Sequence, residues 1–153
     1  MLKIYVDGDS NPYITEIATI ANQYELECIV VHDSCRIFND VPNSCKLIEV
    51  EASSQAVDNK IYVITQPGDL LITSDHGLAS ICLGKGVTVL DIKGNVHCDL
   101  FQGVYFAKRQ NKKAKKLNDL DRKQFIKNLC NTLDTKLPEM QKFAGLVSKF
   151  KPL

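Results

Sequence analysis

Four aspartates carry the chemistry that this sequence suggests. Asp7 and Asp9 flank Gly8 directly after a short apolar run, Asp75 follows a second apolar run, and Asp58 lies in a segment with helical spacing. Carboxylates brought this close repel one another unless a cation lies between them, and carboxylate oxygens are the ligands that Mg²⁺ and Mn²⁺ prefer. We therefore expect these aspartates to be the metal ligands and catalytic acids of a site that binds Mg or Mn and cleaves phosphate esters. The alternative is that Asp9 and Asp75 cap helices and Asp58 is solvated.

The elements that position these aspartates follow from hydrophobic periodicity. Strands predicted near residues 4–6, 28–31, 47–50, 69–73 and 87–92 alternate with helical segments, the first of which begins at Asn11-Pro12, an N-cap followed by a first-turn proline. Ser53 and Ser54 are expected to cap the second helix. Such alternation predicts an α/β fold, a three-layer α/β/α arrangement around a mainly parallel sheet. In a parallel sheet, Asp7 and Asp75 lie at the same carboxyl edge, where ligands bind.

Three polar residues accompany the acids. Thr73 and Ser74 immediately precede Asp75, and Asn11 follows Asp9 by two positions. Their hydroxyl and amide groups could hydrogen-bond a phosphate or a metal-bound water, which would make them supporting residues of the site. Local capping of the adjacent backbone is the competing interpretation.

Charge is distributed unevenly along the chain. Residues 1–107 carry a net charge of −8, whereas residues 108–153 carry +9. Six cations fall within nine residues, at Lys108, Arg109, Lys112, Lys113, Lys115 and Lys116. We predict that Lys108, Arg109, Lys112 and Lys113 bind the phosphates of a nucleic acid, with RNA favoured as the partner. A solvated basic loop is the alternative, and the absence of interleaved aromatic residues argues against base stacking.

Composition and length predict one soluble domain spanning 1–153, with a sheet core and acidic edge in 1–94 and a basic, mainly helical part in 95–153. No apolar run reaches the roughly 20 residues that span a bilayer, and no signal peptide is recognised, so we expect a cytoplasmic protein without membrane contact.

A helix is predicted over 119–137, ended by Pro138. A further apolar stripe at Met140, Phe143, Val147 and Phe150 leaves monomer and homodimer both open. The six cysteines are scattered, and several of them lie within apolar runs and are predicted to be small core residues.

Several segments resemble the bacterial YaiI/YqxD family. Residues 6–12, Val-Asp-Gly-Asp-Ser-Asn-Pro, resemble its V-D-A-D-A-C-P opening; residues 56–61 resemble A-A-D-x-x-I; and residues 68–79 resemble G-D-x-V-I-T-x-D-x-x-L-A. Asp121-Arg122 with Phe125 and Leu129 resembles D-R-x-x-F-x-x-x-L. The family is largely uncharacterised and grouped with PIN-like domains, which are metal-dependent nucleases. The resemblance implies phosphodiester hydrolysis of RNA or DNA, with Asp7, Asp9, Asp58 and Asp75 as the matching acids.

The chain departs from the family pattern in places that bear on the substrate. The family's cysteine is Asn11 here, and its glycine-rich segment before the D-R motif is replaced by the lysine-rich residues 109–118. Two other functions remain open. A non-catalytic metal- or nucleic-acid-binding module remains open because no nucleophile or general base stands apart from the predicted metal ligands, and it predicts salt-dependent binding that survives loss of Asp75. A phosphatase is the other, because Asp7-Gly8-Asp9 resembles the D-x-D motif of the haloacid-dehalogenase type. Against the phosphatase, Asn11 replaces the usual Thr or Val, and Gly68-Asp69 precedes a strand instead of following one.

Overall fold

A six-stranded sheet forms the centre of the molecule. The computed structural model describes residues 2–9, 11–35, 38, 41–53, 55–97 and 117–149, the last of these with side chains up to 137. The strands are β1 (Lys3–Asp7), β2 (Glu27–Asp33), β3 (Cys45–Val50), β4 (Leu70–Ile72), β5 (Thr88–Leu90) and β6 (Val96–His97). Their order is β3-β2-β1-β4-β5-β6, and the first five strands are parallel. The antiparallel edge strand β6 was not predicted, because two residues carry no periodicity.

Helices cover both faces of the sheet, which confirms the three-layer α/β/α prediction. The helices are α1 (Ile14–Gln23), α2 (Ala56–Ile64), α3 (His76–Gly84) and α4 (Asp119–Lys149). Alternate residues of β1 point to opposite faces. Ile4 and Val6 pack with α1 and α4, whereas Tyr5 packs with α2 and α3.

The α4 helix closes one face of the core. Phe125, Leu129 and Leu133 recur at helical spacing and are fully buried there. The Phe125 ring stacks on Tyr13 with 5.0 Å between ring centroids. The hydroxyl of Tyr24 donates a 2.6 Å hydrogen bond to Asp134, which joins the end of α1 to α4. The first part of α4 is therefore held against the sheet and α1.

Three predicted helix boundaries were wrong. The first helix begins at Ile14, because the Asn11 side chain accepts a 2.7 Å hydrogen bond from the Tyr13 N–H and forms a turn before the helix. The residue preceding α2 is Gln55, without a side-chain cap, and Ser53 instead accepts a hydrogen bond from the Ala56 N–H through its backbone oxygen. Pro138 does not end α4: the apolar helical spacing continues beyond it, and a proline removes one backbone hydrogen bond from a long helix.

In the part of the chain that the structure describes, no helix combines the length and apolar character needed to cross a bilayer.

Candidate functional site: an acidic edge at the strand switch point

The strand order reverses between β1 and β4. The chain passes from β1 outward to β2 and β3, and then crosses to the other side of β1 to form β4 and β5. Ligands of open α/β sheets bind at such a switch point, outside the carboxyl ends of the strands. Asp7 is the last residue of β1, and Asp75 lies three residues beyond β4. The predicted acids therefore lie at the part of this fold that is best suited to hold a ligand.

The chain leaves β1 through a turn that only glycine can make without rearrangement. The Gly8 N–H donates a 2.8 Å hydrogen bond to the Val31 carbonyl, which holds the turn against β2. A Cβ atom at Gly8 would lie 2.7 Å from Val30 Cγ1 and 3.0 Å from the Val31 oxygen. This close approach places Asp7 and Asp9 beside the end of β2.

Thr73 links the two aspartates of the switch point. Its hydroxyl donates a 2.9 Å hydrogen bond to Asp7 Oδ2 and accepts a 3.0 Å hydrogen bond from the Asp75 N–H. Thr73 is fully buried, and Asp7 is 6% exposed. The hydroxyl thus orients the Asp7 carboxylate and the start of the following loop together. The sequence suggested either a phosphate or metal-bound water, or local capping, as the partner of Thr73; the bond from the Asp75 N–H is local capping of that kind, whereas the bond to Asp7 was not predicted.

Asp9 and Asp75 each use one carboxylate oxygen on a backbone N–H. Asp9 Oδ1 accepts a 3.1 Å hydrogen bond from the Asp33 N–H at the end of β2. Asp75 Oδ1 accepts a 3.0 Å hydrogen bond from the Leu78 N–H and so caps α3. The capping interpretation is correct for Asp75, whereas Asp9 contacts β2 instead of capping α1. These bonds fix both carboxyl groups at the acidic edge.

Asp58 reaches the same place from the first turn of α2, on the face of the sheet opposite α1. Burial, the negative charges of Asp75 and Asp7, a hydrogen bond with Asp75 and the charge of Asp9 raise the pKa of Asp58 to about 6. The pKa of Asp7 is raised as well, first by burial and then by the charges of Asp9 and Asp75, against the opposing hydrogen bonds from Thr73 and the Asp9 N–H. The structure therefore brings all four predicted aspartates within electrostatic reach of one another.

The chemical type of the four side chains suits a hard divalent cation. All four side chains are carboxylates, and accumulated negative charge at a partly buried site favours a cation. Among the described residues, no three carboxylate, imidazole or thiol groups stand at the mutual distances of a finished metal site. Binding would therefore require the carboxylates to rearrange, for example by opening the hydrogen bond between Asp58 and Asp75.

The remaining predicted site residues have different outcomes. Asn11 is buried, its Oδ1 accepts the Tyr13 N–H, and its Nδ2 has no hydrogen-bond partner within the described ranges. Ser74 lies between Thr73 and Asp75 and is half-buried. The predicted nucleic-acid-binding residues, Lys108, Arg109, Lys112 and Lys113, lie outside the described residues.

The sequence analysis did not predict the polar residues that β2 and β5 contribute to the carboxyl edge of the sheet. His32 is buried at the end of β2, where its ring packs edge-on against Phe38 at 4.8 Å between ring centroids. Asp33 contributes the backbone N–H that holds Asp9. Asp91, just beyond β5, is buried and accepts hydrogen bonds from two backbone N–H groups of its own turn. In each case a polar residue directly after an apolar run was the available signal.

Comparisons with known proteins agree with the resemblance to the YaiI/YqxD family. A family model described as the uncharacterised YaiI/YqxD family matches residues 5–135. A UPF0178 protein of Enterococcus faecalis is 39% identical over 93 residues, which cover 58% of this chain and 61% of the relative. One from Bacillus anthracis is 37% identical over 94 residues, which cover 61% of this chain and 64% of the relative. The matched region thus spans less than two thirds of these relatives.

One solved structure, that of Rae1 (YacP) from Bacillus subtilis, is similar over 88% of this chain and 99% of that chain, at 17% identity and a TM-score of 0.44. A likeness this weak carries no inference about function. The family model covers most of the chain, including all four aspartates of the acidic edge. This chain belongs to the YaiI/YqxD family.

Proposed function

We propose that this protein is a metal-dependent nuclease of PIN-like type that hydrolyses phosphodiester bonds of RNA or DNA. The observation that carries the proposal is the convergence of Asp7, Asp9, Asp58 and Asp75 at the strand switch point, where burial and then the acidic neighbours raise the pKa of Asp58 to about 6. Carboxylates concentrated at one partly buried place favour a bound cation, and phosphate cleavage is a common use of carboxylate-bound Mg²⁺ and Mn²⁺.

Mg²⁺ or Mn²⁺ would be held by the four aspartates and would supply activation of water and neutralisation of phosphate charge. Other residues of the chain hold these aspartates in position. Thr73 holds Asp7 through the 2.9 Å hydrogen bond to Oδ2, and the Asp33 N–H holds Asp9. Asn11, two positions after Asp9, has a buried amide nitrogen without a hydrogen-bond partner among the described residues, and we propose it as a supporting donor of the site.

Nucleic acid as the substrate is supported by the basic segment that contains Lys108, Arg109, Lys112 and Lys113. Lysine and arginine clusters bind phosphates without sequence preference, and each phosphate neutralised on a single strand contributes about −0.7 to the slope of log K against log salt. We therefore expect binding that weakens steeply with salt. Replacing these four residues by alanine should flatten the slope by about 2–3.

The test compares cleavage of labelled single-stranded RNA and DNA with Mn²⁺, Mg²⁺ or EDTA, for the natural chain and Asp75→Asn. Asparagine is as good an N-cap as aspartate, so this variant keeps the bond to the Leu78 N–H while losing the charge. The matched control is Glu27→Gln, which removes a half-exposed carboxylate paired with Lys3 at the opposite edge of the sheet. Cleavage should require metal, persist in the control and fall by at least about 100-fold in Asp75→Asn.

Metal binding in calorimetry without cleavage would refute the nuclease and leave a binding module. Release of phosphate from small phosphomonoesters, with an acyl-phosphate trapped by beryllofluoride, would instead indicate the phosphatase. If Asp75→Asn cleaves as fast as the natural chain, the acidic edge is not the catalytic site.

A further inference from the structure

A pair of thiols lies at the opposite end of the sheet from the acidic edge. Cys28 is near the start of β2, Cys45 is the first residue of β3, and the two are register partners in adjacent parallel strands. Their Sγ atoms are 3.6 Å apart, and both cysteines are free. Neighbouring strands lie about 4.8 Å apart, within the roughly 4.4–6.8 Å that separates the Cα atoms of disulfide-bonded cysteines. We propose that Cys28 and Cys45 form a reversible disulfide when the protein meets a low-molecular-weight disulfide.

The two thiols are not equivalent. Cys45 begins the outer strand β3 and is 9% exposed, whereas Cys28 is 2% exposed. The hydrogen bond shared by the two thiols lowers the pKa of Cys45, as does the Val30 backbone, against the opposing effect of burial; the same shared bond and burial raise the pKa of Cys28. Thiolate character and exposure govern which cysteine reacts first, so Cys45 is the attacking residue and Cys28 the resolving one.

The exchange proceeds in two balanced steps. The Cys45 thiolate attacks one sulfur of a disulfide R–S–S–R, which forms a mixed disulfide at Cys45 and expels RS⁻. The Cys28 thiol then loses its proton and attacks Cys45 Sγ, which forms the Cys28–Cys45 bond and expels the second RS⁻. Two cysteine thiols are oxidised, and one R–S–S–R is reduced to two thiols.

The new bond would fasten the edge strand β3 to β2. It closes the segment 29–44, which contains the Asp33 N–H that holds Asp9. The bond itself forms at the amino ends of the strands, whereas the four aspartates lie at the carboxyl ends. The inference therefore does not depend on the proposed nuclease activity.

The experiment incubates the folded chain with excess oxidised glutathione, blocks remaining thiols with N-ethylmaleimide in denaturant, and maps tryptic peptides without reduction. Trypsin releases peptide 4–36, which holds Cys28 and Cys35, and peptide 37–46, which holds only Cys45. A Cys35→Ser background makes the assignment unambiguous. We expect the two peptides joined and two hydrogens lighter than the free pair. Dithiothreitol should separate them, and oxidation should raise Tm by roughly 5–10 °C.

A second variant tests the order of the steps. In Cys28→Ser the mixed disulfide with glutathione should persist at Cys45, because no resolving thiol is present. Maleimide on both Cys28 and Cys45 of the oxidised natural chain, while the exposed Cys35 carries glutathione, would overturn the proposal. So would a stable mixed disulfide at Cys45 when Cys28 is intact. These readings come from the natural chain and the Cys35→Ser background, and they stand even if Cys28→Ser fails to fold.

Discussion

Replacing Asp58 by asparagine should stabilise the metal-free protein. The variant keeps the size of the side chain and removes a negative charge that the folded state disfavours, since burial and three neighbouring aspartates raise the pKa of Asp58 from 3.8 to about 6. About two pKa units correspond to roughly 3 kcal/mol at full strength. The side chain is only half-buried, and solvent screening reduces the expected gain to about 1 kcal/mol. For a chain of this size that gain raises Tm by about 2–4 °C.

The pH dependence gives the sign of the effect. Because the folded pKa lies above the unfolded value, the folded state binds a proton first as the pH falls, and the natural protein gains stability between about pH 6 and pH 4. Asp58→Asn lacks this gain. The difference between the two proteins should be largest at pH 7, become small by pH 4 and vanish below the unfolded pKa of 3.8, where Asp58 is protonated in both states.

The assay is urea unfolding at pH 7, 5.5 and 4 in the presence of EDTA. The control is Asp119→Asn, because Lys123 and Arg122 lower the pKa of that exposed carboxyl. Its stabilising effect is present above the unfolded pKa and is lost as the pH falls, so the control should change stability in the opposite direction at pH 7. A loss of stability in Asp58→Asn at pH 7 would refute the conclusion that the folded state disfavours the charged form of Asp58.

Added metal should stabilise the natural protein more than Asp58→Asn, which is the reverse of the order expected without metal. A cation that binds only the folded state raises stability in proportion to the logarithm of its concentration over Kd. If Asp58 is a ligand, Mn²⁺ should raise the Tm of the natural protein more than that of Asp58→Asn. Equal shifts in both proteins would exclude Asp58 from the metal site while leaving the pH prediction intact.

Substitutions at three further positions test the contacts that order the site and the fold around it. Thr73→Val should cost about 1–3 kcal/mol by leaving the buried Asp7 carboxylate without its hydroxyl donor, and Thr73→Ser should restore most of that in urea unfolding. Gly8→Ala should cost about 2 kcal/mol or more, because its Cβ would lie 2.7 Å from Val30 Cγ1; an unchanged midpoint would mean that the turn adapts. Tyr24→Phe should lose about 1 kcal/mol with the hydrogen bond between α1 and α4, measured by thermal unfolding.

Hydrophobic periodicity was sufficient to predict the α/β class and the meeting of Asp7 and Asp75. Short apolar runs alternating with amphipathic segments permit little besides a parallel sheet covered by helices, and parallel strands bring their carboxyl ends to one edge. The convergence of Asp58 was also predicted, because it lies in the first turn of a helix that runs back from that edge.

Hydrogen-bonding choices among competing partners could not be predicted. Asn11 is a residue type that is common at N-caps, yet its side chain forms a turn with Tyr13. Asp9 contacts the Asp33 N–H, on a strand 24 residues away. Local rules rank the partners available within one turn, whereas a partner supplied by another strand exists only after the sheet has formed. Pro138 is similar, since its helix continues where a local rule predicts an end.

The sequence by itself indicated that Asp7 and Asp75 would meet at one edge of a parallel sheet and which strands lead to that edge. Only the tertiary structure decided that Thr73 joins Asp7 to Asp75, that burial and mutual repulsion raise the pKa values of Asp7 and Asp58, and that Cys28 and Cys45 face each other. Strand periodicity is a property of neighbouring residues and is visible in the chain. Register, burial and electrostatic coupling arise between residues distant in sequence, and they appear only when packing brings those residues together.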